Sequence, residues 1–125
     1  AGDKYPADIS GGMRKRVGLA RAIIMDPKIV LYDEPTSGLD PVTSRRIDEL
    51  IVNMRKRLGI TSVVVTHDLH SALAIGSRIM MLHKGKIVEN ATPKDFIHSK
   101  DATVQSFLES QYITRKGKWE DLGNE

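Results

Sequence analysis

The sequence predicts an α/β fold, a parallel β-sheet with helices packed on its faces. Two runs rich in apolar and β-branched residues, 29–32 (IVLY) and 60–66 (ITSVVVT), are each followed by a polar turn and then by helical periodicity. Strands that alternate with helices in this way pair in parallel, because the helix carries the chain back along the sheet. With 125 residues, 40% of them apolar, the chain has the size of one domain with one core.

Each element has a local reason. Ser10 is a good helix cap, and Met13, Val17, Ala20 and Ile24 follow on one helical face until Asp26 and Pro27 stop the helix. The run at 28–32 is apolar enough for a strand covered on both faces. Asp40 and Pro41 then form a cap and first-turn pair, and Ile47, Leu50, Ile51, Met54 and Leu58 mark the inward face of a long helix that Gly59 ends. After the strand at 60–66, a short helix is expected from Leu69 to Ile75, terminated by Gly76. RIMMLH and KIVEN, joined by Lys84 and Gly85, read as a hairpin with a two-residue turn. Thr92 and Pro93 open another short helix, and 102–110 a last one with Val104, Phe107 and Leu108 inward. Beyond Thr114 the pattern fades into a polar tail, expected to be mobile or docked mainly by the Trp119 ring. The expected divisions are 1–26, 27–91 and 92–125.

Composition removes several function classes. Without cysteine there is neither a disulfide framework nor a thiolate metal site, which suits a reducing cytosol. No apolar run approaches the ~20 residues that cross a bilayer, and the first residues do not resemble a signal peptide. The net charge of +3 comes from basic clusters on four separate segments interleaved with acids, and few aromatics accompany them. Solvated helix faces explain that distribution better than a nucleic-acid surface.

Four segments carry chemistry. Asp33 and Glu34 are adjacent carboxylates at the end of an apolar strand, where ligands of open parallel sheets bind. Unpaired carboxylates there are costly unless a cation or a reaction needs them. Ser10, Gly11 and Gly12 stand at a helix start, where unpaired amides and the helix dipole favour an anion such as phosphate. Ser37, Gly38, Leu39 and Asp40 form a turn feeding a cap. His67 ends the second β-branched run and emerges near Asp33 if the two strands are neighbours. His70, His83 and His98 read as ordinary polar loop residues.

In this order the four segments resemble the C-terminal half of an ABC-transporter ATP-binding subunit. Residues 9–13 look like its signature motif, 29–34 like its Walker B strand with the following glutamate, 37–40 like its D-loop, and His67 like its switch histidine. The finer pattern, SGGMRKRVGLARA with LYDEPTSGLDP and a late VQSFLES, is similar to the ATPases of Mla-like lipid-asymmetry and toluene-tolerance importers. The resemblance implies a P-loop NTPase sheet of the RecA-like, ABC ATPase kind with flanking helices. It further implies ATP hydrolysis with Mg²⁺ in a head-to-tail dimer. In that arrangement Ser10, Gly11 and Gly12 cap the partner's nucleotide, Asp33 holds Mg²⁺ through water, and Glu34 acts as base. His67 contacts the terminal phosphate and Asp40 couples the two sites. A second ATPase subunit, a transmembrane permease and a place on the cytoplasmic face of the inner membrane follow as expectations, with phospholipid or related apolar cargo.

A P-loop, G-x-x-x-x-G-K-[ST], does not occur in these 125 residues. The expectation is therefore an incomplete sheet without the P-loop strand, which the family places between the strands at 60–66 and 78–83. Those strands would pair with each other or with another copy, or would depend on an N-terminal piece, and exposed edges would favour self-association. The chain alone is expected to be inactive. The rival readings are a non-catalytic dimerisation or regulatory module and an ABC-type ATPase of DNA repair or translation. The second rival usually bears long inserted arms, for which the stretch from Ser10 to Asp33 has no room.

Overall fold

The structure is a computed structural model and describes residues 26–113. The helix expected from Ser10 and the tail around Trp119 lie outside the described residues. The chain divides into two compact units, one ending at Ser71 and one beginning at Ala72.

In the first unit, β1 (Ile29–Asp33) and β2 (Thr61–Val65) pair in parallel, with Ile29 opposite Thr61 and Asp33 opposite Val65. Helix α1 (Pro41–Leu58) connects them, as a parallel pair requires. Asp40 caps α1 from an extended backbone, Pro41 occupies its first turn, and Gly59 ends it in the left-handed region with its N–H on the Arg55 carbonyl. Helix α2 (Leu69–Ile75) follows β2. Val30, Tyr32, Ile47, Ile51, Ile60 and Leu69 form the buried set of this unit.

Three expectations need correction here. The β1 strand alternates, with Val30 and Tyr32 buried while Ile29 and Leu31 are 61% and 76% exposed. Only one of its two apolar faces is therefore covered, because no described element lies over the other. Leu58, assigned to the inward face of α1, is exposed at the last turn beside Gly59. Both strands are also offset from the expected limits, since β1 runs one residue further and β2 is trimmed at each end.

In the second unit, β3 (Ile79–His83) and β4 (Lys86–Ala91) form an antiparallel hairpin with an irregularity between Met81 and Leu82. Lys84 and Gly85 both have positive φ, 49° and 77°, the signature of a type I′ turn whose twist matches the strands. Arg78 braces the open end of the hairpin through Nε to the Asn90 side chain and a terminal nitrogen to the Asn90 carbonyl, at 3.0 and 3.1 Å. Gly76, after α2, leaves no room for a side chain: a Cβ would sit 2.9 Å from the Ala72 carbonyl oxygen.

Helices α3 (Pro93–Ile97) and α4 (Ala102–Ser110) complete the unit, capped by Thr92 and Asp101. Phe96, Ile97, Val104, Leu108 and Ile113 are buried, whereas Phe107, expected to be inward, is half-buried. Ser99 ties the linker between these helices to β4 by donating to Glu89 at 2.7 Å, and the Gln105 amide donates to the Ser99 carbonyl.

The described strands make two separate two-stranded sheets, so β2 and β3 do not pair directly. Among the described residues, each has one edge without a partner strand.

Candidate functional site

The parallel register sets the site. Because Asp33 and Val65 are partners at the ends of their strands, the chain leaves both strands at the same level, on the carboxyl edge of the sheet. The Glu34 amide still donates to the Val65 carbonyl at 2.7 Å, which carries the ladder one residue beyond β1. There the backbone turns sharply. Glu34 has φ 49°, a left-handed conformation that costs a side-chain-bearing residue roughly 1–2 kcal/mol. Such strain persists only where the surroundings fix it, and functional sites are where it collects. Here the fixing bonds are the Val65 contact and a turn in which the Ser37 amide donates to the Glu34 carbonyl at 3.2 Å, over buried Pro35 and Thr36.

The Glu34 carboxylate faces His67. Its Oε1 accepts from the His67 backbone amide at 3.0 Å and lies 3.0 Å from His67 Nδ1. A carboxylate only accepts, so Nδ1 carries a proton toward Glu34. The Glu34 hydrogen bond and charge hold the imidazole pKa above its ordinary value, with a smaller contribution from Asp68. The imidazole is 74% exposed and the Glu34 side chain 33%. An exposed pair of this kind adds little to stability, so its consequence is orientation.

The loop that presents His67 is internally tied. Thr66 Oγ1 accepts from the Asp68 amide at 3.0 Å, and Asp68 Oδ1 accepts from the amides of His70 and Ser71 at 3.0 and 3.4 Å. Thr66 and Asp68 escaped the sequence reading. The available signal was the Thr-x-Asp spacing ahead of a short helix, a known side-chain turn chemistry.

Asp33 is an exposed carboxylate on the same strand face as Ile29 and Leu31. Among the described residues no group of three or more His, Asp or Glu could hold a metal. That does not conflict with Mg²⁺, which commonly takes one or two carboxylates and completes its shell with water and phosphate. The donor at Asp33 fits that mode.

Asp40 is fully engaged by its own helix. Its Oδ1 accepts from the Thr43 amide at 2.8 Å and its Oδ2 from the Thr43 hydroxyl at 2.7 Å, which holds its carboxyl below the usual range. The structure thus brings Asp33, Glu34 and His67 to one edge and places Asp40 at the head of α1. Ser10, Gly11 and Gly12 lie outside the described residues.

Comparison with known proteins addresses the family and the fold. The family model described as ABC transporter matches residues 2–37. The methionine import ATP-binding protein MetN of Bartonella henselae is 45% identical over 105 residues, covering 83% of this chain and 30% of its own length. MetN 2 of Listeria monocytogenes is 40% identical over 119 residues, 94% of this chain and 34% of that protein. The chain spans about a third of the length of these curated relatives.

Among solved structures, the ATP-binding cassette MJ0796, a dimer in a post-hydrolysis state with ADP and Pi, aligns with a TM-score of 0.64 and 37% identity. It covers 73% of this chain and 39% of its own. CbiO1 of Clostridium perfringens, part of the ABC transporter complex cbiONQ, aligns with a TM-score of 0.70 and 33% identity, over 82% of this chain and 41% of that one. Over the stretch it spans, the chain is homologous to ABC transporter ATP-binding domains and has their α/β, P-loop NTPase fold.

Proposed function

We propose that this stretch of an ABC transporter ATP-binding domain supplies the hydrolytic edge of an ATPase that powers import across a membrane. The observation that carries the reading is the Glu34–His67 contact at the carboxyl edge of a parallel strand pair, beside Asp33. Glu34, aimed by its strained backbone and steadied through Oε1, accepts a proton from the attacking water or orients it. His67, protonated on Nδ1 toward Glu34, offers Nε2–H to the terminal phosphate when the ring is charged. Asp33 would hold Mg²⁺, and the ion would neutralise charge on the phosphates.

Ser10, Gly11 and Gly12 would present amides to the nucleotide held by a second subunit in a head-to-tail dimer. Asp40, at the head of α1 and close in sequence to Glu34, would couple the two sites. The 125 residues contain no phosphate-cradling G-x-x-x-x-G-K-[ST], so alone they would bind MgATP weakly and turn none over. The expected setting is the cytoplasmic face of the inner membrane, against a permease.

Glu34→Gln, introduced into a chain that also carries the P-loop, tests the reading. ATP turnover should disappear while ATP binding remains, and unchanged turnover would remove Glu34 from the role of base.

Cargo divides into two readings. The relatives' names carry methionine import. The lipid reading rests on SGGMRKRVGLARA and the late VQSFLES alone, without support from the relatives named above. Reconstitution with each class of permease, scoring ATP-driven methionine uptake against phospholipid transfer, separates them.

A further inference from the structure

A second polar network lies behind His67, and the hydrolytic reading does not use it. Ser71, only 5% exposed, has its hydroxyl 2.8 Å from Asp48 Oδ2 on α1 and 3.4 Å from Asp68 Oδ2 at the head of α2. Asp48 Oδ1 is buried with no hydrogen-bond partner. A serine has one proton to donate, so it cannot serve two ionised carboxylates at once. A buried carboxylate oxygen without a donor adds a desolvation cost that no contact returns.

One proton on Asp48 Oδ2 removes the first conflict and lessens the second, because a buried neutral carbonyl oxygen costs less to leave unpaired than a carboxylate oxygen. The Asp48 O–H then donates to Ser71 Oγ, and the Ser71 O–H is released toward Asp68. Asp68 meanwhile keeps Oδ1 on the amides of His70 and Ser71. The surroundings favour this state. Burial pushes the Asp48 carboxyl up, the Ser71 hydrogen bond opposes it, and the negative charges of Asp68 from α2 and Glu49 on α1 add to the rise.

We propose that Asp48 is a positioning residue for His67: through the Ser71 hydroxyl it fastens the start of α2 to α1 and so keeps the imidazole at hydrogen-bond distance from Glu34. The contacts run from Asp48 to Ser71 to Asp68, and from His67, the residue next to Asp68 in the chain, to Glu34, all within the first unit. They join the helix that Asp40 caps to the loop that presents His67. The inference rests on the ATPase reading for what His67 does there, though not for the network itself.

NMR titration of the His67 ring in the 125-residue chain tests it without nucleotide. The wild-type midpoint should lie above that of an ordinary histidine, about 6.5. Ser71→Ala should lose most of that upward shift. Ser71→Thr, which keeps the hydroxyl, and Asp48→Asn, which keeps a neutral donor, should retain it. A wild-type midpoint in Ser71→Ala would overturn the positioning role. Loss of the shift in Asp48→Asn would overturn the protonated arrangement.

If Ser71→Ala does not fold, the wild type decides alone. The His67 ring and Ser71 amide signals should show a second inflection at the midpoint of the Asp48 carboxyl ¹³C titration, and its absence refutes the link. Absent ATP turnover in the P-loop-bearing chain, with these inflections intact, would count against the ATPase reading only.

Discussion

One oxygen of Glu34, Oε1, receives both the backbone amide and the Nδ1 proton of His67, each at 3.0 Å. The double contact pins side chain to backbone across the ends of two strands. It also makes the pair sensitive to proton concentration.

The sign of that sensitivity follows from the raised His67 pKa. The charged imidazole is favoured in the folded state, so the pair's contribution is fully present below the ordinary histidine midpoint of about 6.5 and fades as pH rises through the higher folded one. Denaturation midpoints measured from pH 5 to 8 should fall more in the wild type than in Glu34→Gln. Parallel curves would show that the exposed pair adds nothing measurable to stability.

Asp40 behaves in the opposite sense. Hydrogen bonds from Thr43 depress its pKa, so the cap is intact above the usual carboxylate midpoint and is lost as pH falls through the lowered one. Asp40→Ala should speed amide exchange at Thr43 and Ser44 at neutral pH, with little change in the hairpin. Below the folded midpoint, variant and wild type should exchange alike.

Phe96 is fully buried in the second unit. Phe96→Ala should destabilise that unit by about 3–5 kcal/mol, the usual cost of removing a core phenyl ring. Urea unfolding followed by exchange at β3 and β4 reads the change; an effect under about 1 kcal/mol would mean that the ring is not packed in solution.

Lys84 pays for its positive φ, whereas asparagine is a preferred residue at that turn position. Lys84→Asn should raise hairpin stability by up to about 1 kcal/mol, within the range of left-handed backbone strain. Slower exchange of the β3–β4 amides would register it.

The open face of the parallel pair carries exposed Ile29, Leu31, Val63 and Val65. Such an apolar patch promotes association. Light scattering on the chain should show mass rising with concentration, and Leu31→Lys should shift it towards monomer. A wild type that stays monomeric on concentration would show the face to be covered.

Local chemistry was the legible part of this fold. Asp40–Pro41, Thr92–Pro93 and the Lys84–Gly85 turn each act within four residues, and the structure keeps all three as read. The bounds of α2 follow equally from Gly76, where the Ala72 carbonyl approaches. Leu58, Ile29 and Leu31 misled, since periodicity identifies an apolar face without saying what lies over it. At the site, two strands ending alike put His67 near Asp33 on the same edge, but its contact is with the neighbouring Glu34. The left-handed backbone of Glu34 was not readable, because nothing in Asp-Glu-Pro announces it. Ser71 and Asp48, 23 residues apart, were invisible for another reason: their link exists only once both helices are in place.

The alignment of Asp33 with Val65 also predicts where the gene can tolerate insertions and deletions. Adding a residue between Gly59 and Ile60 disturbs the helix cap and the buried Ile60 side chain, but the strand can re-enter at the same height. One residue added or removed inside Thr61–Val65 moves everything after it by about 3.3 Å and turns every following side chain of the strand to the opposite face. His67 would then miss Glu34 although every motif remained in the sequence. A length change in that stretch is therefore a sharper warning of lost activity than many substitutions within it.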